Sequence, residues 1–126
     1  MTQSLPKPTD AELEILHVLW RLGPSTVKTV QEALGKDTGY TTALKFLQIM
    51  TEKGLVRRNE SRRAHVYQPA RSKDETQRQL VAGLLKRAFS GSTSQLVMQA
   101  LASRRATPSE LAEIKKLLEQ LTRESK

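Results

Sequence analysis

No cysteine occurs in the chain. Structural disulfides, thiolate zinc sites and cysteine nucleophiles are excluded by that absence alone, and a reducing compartment is permitted. Aromatic residues are scarce, at 4%, which argues against single-strand binding by stacking of bases on aromatic platforms. No apolar run is long enough to span a bilayer, and Met1 to Pro8 lack the apolar core of a signal peptide. A cytoplasmic placement is therefore expected. The two histidines, His17 and His65, stand apart without metal-ligand spacing. They read as structural or surface residues, with no metal and no cofactor expected. Phosphate-binding glycine loops and Ser/His/Asp patterns are also missing. Asp10, Glu12 and Glu14 cluster where a helix begins and suit its dipole rather than general acid–base work. An enzyme is not expected.

Positive charge is abundant. Among 126 residues the net charge is +8 and the pI about 10.1, which favours a polyanionic partner, either nucleic acid or an anionic membrane surface. The excess is spread evenly: residues 1–72 carry eleven Lys/Arg against seven Asp/Glu, and residues 73–126 carry ten against six. Locally it is concentrated. Arg57, Arg58, Arg62 and Arg63 fall within seven residues, with Glu60 the acidic residue among them.

The hydrophobic pattern predicts helices first. Thr9 with Glu12 is a capping-box pair, and Leu13, Ile15, Leu16, Val18, Leu19 and Trp20 form an apolar stripe that Gly23-Pro24 terminates. Trp20 is expected in the core. Ser25 or Thr26 caps a second helix through Val27, Val30, Ala33 and Leu34, stopped by Gly35. A third helix runs from about Tyr40 to Lys53, with Ala43, Phe46, Leu47 and Met50 inward, and Gly54 closes it. Leu55–Arg58 and Ala64–Gln68 are rich in strand formers, and the polar residues 59–63 between them suit a hairpin loop. Three helices followed by a two-stranded ribbon is the order of a winged helix-turn-helix. The fold class expected is mainly α with a small β-hairpin wing, followed by a helical region.

That region begins after a boundary placed near Arg71, giving domains 1–71 and 72–126. Ser72 with Glu75 is a second capping pair, and Thr107-Pro108-Ser109-Glu110 a third with proline at the first helical position. Leu80, Val81, Leu84, Leu85 and Phe89 form one stripe. Leu96, Val97, Ala100 and Leu101 form a second, and Leu111, Ile114, Leu117, Leu118 and Leu121 a third. About fifty residues in three amphipathic helices make a poor independent domain, so a second copy of the chain is the economical partner. The interface residues expected are Leu80, Leu84, Leu85, Phe89, Leu96, Leu101, Leu111, Ile114, Leu118 and Leu121.

Thr41, Thr42, Lys45 and Gln48 lie off the apolar stripe of the third helix and share one side of it. Threonine offers a hydroxyl to phosphate and a methyl to thymine, lysine reaches guanine edges, and glutamine pairs with adenine. Alone, such a side is equally an ordinary solvated surface. Between a capped helix and a basic hairpin, base reading in a DNA groove becomes the favoured reading. Arg57, Arg58, Arg62 and Arg63 then form a basic wing on the phosphates, with Lys28 and Lys36 as further phosphate contacts. The alternative for the wing is a solubilising edge. Tyr40 either stacks on backbone sugars or packs against the first helix, the second being the safer assignment.

Pro8–Trp20, Tyr40–Leu47, Glu52–Arg58 and Ala64–Pro69 resemble, in that order, the first helix, the recognition helix, the wing entry and the second wing strand of the penicillinase repressor family, of BlaI/MecI type. The resemblance extends over nearly the whole chain. It implies a dimeric winged-helix repressor whose C-terminal helices interlock and whose recognition helices each read half of a near-palindromic operator. In members controlling β-lactam resistance a membrane-bound sensor protease is a further partner. It cuts between asparagine and phenylalanine, positions matched here by Gln99 and Ala100. The cysteine cluster of the copper-responsive branch is missing. A second class of function also accommodates the pattern: a winged-helix interaction module that binds RNA or a protein complex without operator recognition.

Overall fold

The computed structural model describes residues 6–61 and 63–125. Six helices and three short strands follow in the order α1 (Asp10–Leu22), β1 (Ser25–Thr26), α2 (Val27–Leu34), α3 (Tyr40–Lys53), β2 (Val56–Asn59), β3 (Val66–Pro69), α4 (Lys73–Ala88), α5 (Thr93–Ser103) and α6 (Pro108–Glu124). The chain forms two compact units that divide between Ala82 and Gly83, inside α4.

In the first unit the apolar stripes of α1, α2 and α3 converge. Ile15, Leu19, Val30, Leu47, Met50, Val56 and Tyr67 are fully buried, with Leu13, Trp20, Leu34, Leu44 and Phe46 packed at the margin. Ala33, expected on the inner face of α2, is exposed; the inward row of that helix is Val27, Val30 and Leu34, and Ala33 falls to one side of it. Trp20 is only partly buried. Its indole N–H donates to the Arg71 carbonyl at 3.2 Å, and its ring meets His17 edge-on at 5.3 Å. The first turns of α4 belong to this unit too. Thr76 is buried and the Gln79 side-chain amide donates to the Pro6 carbonyl.

The caps read from sequence form as hydrogen bonds. Thr9 and Glu12 exchange both bonds of a capping box. Glu12 does more than cap: its carboxylate is buried and takes the Lys53 ammonium at 2.9 and 3.1 Å, tying the start of α1 to the end of α3. Burial pushes the Glu12 carboxyl up, but the Thr9 amide and the Lys53 charge outweigh it and hold the group below its ordinary value. At Ser72 the pairing is different. The hydroxyl accepts from the Glu75 amide and also contacts the Glu75 carboxylate.

The ribbon has three strands, in the order β1-β3-β2, not the expected two. Ser25 and Thr26 pair with Tyr67 and Val66. Of the two expected caps, Ser25 and Thr26, it is Thr26 that serves, accepting from the Thr29 amide at 3.2 Å. A residue preceding a helix already has extended backbone angles, here φ −80° and ψ 166°. Thr26 can therefore serve as cap and strand residue in one conformation. Both hairpin strands start later than expected, at Val56 and Val66. Leu55 is spent on the exit from α3, where Gly54 is left-handed at φ 81° and the Gly54 and Leu55 amides donate to Thr51 and Met50, a Schellman stop.

The second unit holds the end of α4, α5 and α6. Ser92 caps α5, and Thr107 and Glu110 form a complete capping box on α6. No described residue of α5 or α6 is buried, and Val97, Met98, Leu111, Leu117, Leu118 and Leu121 are at least 40% exposed. Well-capped helices with bare apolar stripes are formed elements waiting for a surface.

Candidate nucleic-acid interface

The surface of α3 opposite the core carries the four residues expected there. Thr41, Thr42, Lys45 and Gln48 are all exposed. The first three line one shallow depression together with Phe46 and Ile49. Phe46, expected as an inward residue, is only half-buried and contributes its edge to this outer surface. Gln48 stands outside the depression. A threonine–lysine surface floored by two apolar side chains offers donors, acceptors and methyl contacts together, which is what reading base edges in a major groove requires.

The wing divides its arginines. Strand alternation puts Arg57 on the opposite side of β2 from Val56 and Arg58. Arg57 faces outward beside Gln68, and Arg58 is registered with the buried Tyr67. Arg58 is also engaged within the chain, in an ion pair with Glu60. Its guanidinium is thereby partly committed. Beyond β2 the Asn59 side chain accepts from the Ser61 amide at 2.9 Å, a local turn that shapes the tip. Arg63 is exposed. Arg62 lies outside the described residues.

A second depression, of about 390 Å³, lies where α2 starts beside the wing. Thr26, Val27 and Lys28 line it from α2, Tyr40 and Leu44 from α3, and Arg63, Ala64, His65 and Tyr67 from the wing. Tyr40 is 52% exposed, so the expected packing against α1 does not hold. At the first position of α3 its ring is carried out to this depression instead. Lys36 is exposed in the turn before α3 and lies apart from both depressions. His65, read from sequence as a structural or surface residue, enters because Thr26 pairs with Val66. That register carries the wing alongside the start of α2, and no local pattern around His65 signals it.

Among the described residues no cluster of three or more His, Asp or Glu side chains is placed to hold a metal, and no helix is long and apolar enough to cross a membrane.

Comparison with known proteins matches residues 8–120 to the family model described as penicillinase repressor. The transcriptional regulator BlaI of Mycobacterium tuberculosis is 42% identical over 79 residues, which span 60% of this chain and 54% of that protein, about half its length. The penicillinase repressor of Bacillus licheniformis is 23% identical over 120 residues, 94% of both chains. Among solved structures, the B. licheniformis BlaI monomer in complex with the blaP half-operator covers 59% of this chain and 93% of its own, with a TM-score of 0.50 and 24% identity. That likeness concerns the fold alone.

Proposed function

The chain belongs to the penicillinase repressor family, and from that premise we propose that it is a cytoplasmic transcriptional repressor that binds a near-palindromic operator in duplex DNA as a homodimer. The observation that carries the reading is the exposed Thr41, Thr42 and Lys45 surface of α3, flanked on one side by the cationic wing. Helix α3 enters the major groove, with those residues and Gln48 against base edges. Lys28, Lys36, Tyr40, Arg57, Arg58, Arg62 and Arg63 meet the backbone, which sets register without reading sequence. Arg58 contributes least, because Glu60 already holds it.

Residues 1–71 serve DNA binding and residues 72–126 dimerisation, with α4 shared between the roles. The support for pairing is the bare leucine surface of α5 and α6: exposed apolar side chains at this density are removed from water by a second copy. The relative of known operator, the B. licheniformis protein, was solved on a half-operator as a monomer, and two half-sites engaged together raise the effective concentration of the second.

The test is selection of duplex fragments from a random pool by the purified protein, with its mass measured by light scattering. The expected result is a dimer that enriches an inverted repeat. A monomer with no preference among duplex sequences would overturn the proposal in favour of an RNA- or protein-binding module.

A further inference from the structure

The base-reading surface of α3 makes no use of the depression between α2 and the wing. Side chains from three separate elements meet there: Lys28 of α2, Tyr40 of α3, and Arg63 and His65 of the wing. Among the described residues no carboxylate lines it, and Glu60, on the wing after β2, is paired with Arg58. Tyr67 of β3 completes the titratable groups of its lining. The depression also opens at the start of α2, where the helix dipole favours an anion, the Thr29 amide being held by Thr26.

We propose that this depression seats one backbone phosphate of duplex DNA and that His65 makes the contact depend on protonation. The proposal rests on the DNA-binding reading, which already sets Lys28, Tyr40 and Arg63 on the backbone, and it gathers them on one phosphate and adds His65 to them. A neutral imidazole has one N–H donor, whereas the imidazolium has two and a positive charge. Histidine is the residue type in this lining that ordinarily changes charge near neutral pH; lysine, arginine and tyrosine ordinarily do so near or above pH 10. The DNA-bound protein therefore holds more protons than the free protein. Lowering the pH favours the form that holds more, so DNA affinity rises as pH falls through the imidazole range. His17, the other histidine, lies on α1 outside this lining.

The experiment titrates the full chain against a labelled mixed-sequence duplex of about 30 base pairs, by fluorescence anisotropy, across a salt series at about pH 6 and about pH 8. A phosphate contact is blind to sequence, so no operator is needed. The expected result is about fivefold tighter binding at the lower pH, with a log–log salt slope steeper by about 0.9, the mark of one more neutralised phosphate. His65→Gln loses both differences. His65→Arg keeps the steep slope at both pH values. Equal pH and salt responses in the wild type and His65→Gln would overturn the phosphate site while leaving DNA binding intact. Failure of every form to bind the duplex would overturn the DNA reading and this proposal with it.

Discussion

Lys45 combines a long flexible stem with three donors on a surface otherwise made of threonines and apolar side chains. If it reads a base edge, Lys45→Ala removes discrimination more than affinity. The ratio of dissociation constants for a selected operator and a mixed-sequence duplex is expected to fall about tenfold, the worth of one good base contact. An unchanged ratio removes Lys45 from base readout. Glu12 shows a different logic, since its role is internal. Glu12→Gln keeps the side-chain shape but leaves the Lys53 ammonium without its charge partner, at an expected cost of about 1.5–2 kcal/mol in denaturant unfolding at neutral pH. The lower end is favoured because the Lys53 side chain is 39% exposed and solvent screens the pair. The sign with pH follows from the lowered carboxyl value. The stabilisation is complete above the unfolded-state value of about 4.3 and disappears as pH falls through the lower folded-state value. The difference between wild type and Glu12→Gln is therefore expected to stay constant at neutral pH and to close only in acid. The cap role of Glu12 is legible from its spacing to Thr9, but its bond to Lys53 is not, because forty-one residues separate the two.

At the scale of elements, every helix announces itself. Stripes at helical spacing, capping boxes at Thr9 and Thr107, and glycine stops at Gly23, Gly35 and Gly54 are all local signals, and local hydrogen bonds are what build them. Gly54 is the most demanding of these. Nothing crowds a β-carbon there, so the constraint is the left-handed backbone alone. Gly54→Ala is expected to cost about 1 kcal/mol, measured by chemical denaturation. Because that turn sets the exit of α3 into β2, the same variant is expected to weaken DNA binding. The strand β1 was not legible. Two residues carry no periodicity, and Ser25 and Thr26 already had a sufficient explanation as caps. Their pairing with β3 is a contact across forty residues of chain, decided by which edge the folded ribbon leaves open.

For the whole molecule, the contrast between the units is the informative feature. The first has a closed core, and the second shows its leucines to solvent. Replacing Leu118 and Leu121 together by Glu is expected to convert the dimer to a monomer in light scattering. Operator affinity is then expected to fall about 100-fold or more, while half-site affinity changes little, since linkage rather than contact is lost. An unchanged mass would place the interface elsewhere. The apolar stripes behind this prediction are visible in sequence, but Met98, at 68% the most exposed of these side chains, falls outside them. The sequence by itself determined the winged-helix order of elements, the polar surface of α3 and the cationic tip, because periodicity, caps and charge are written in neighbouring residues. Only the tertiary structure decided that β1 joins the sheet and that His65 comes to line one depression with Lys28. Each of those depends on chain segments meeting in space, and no local pattern encodes where they meet.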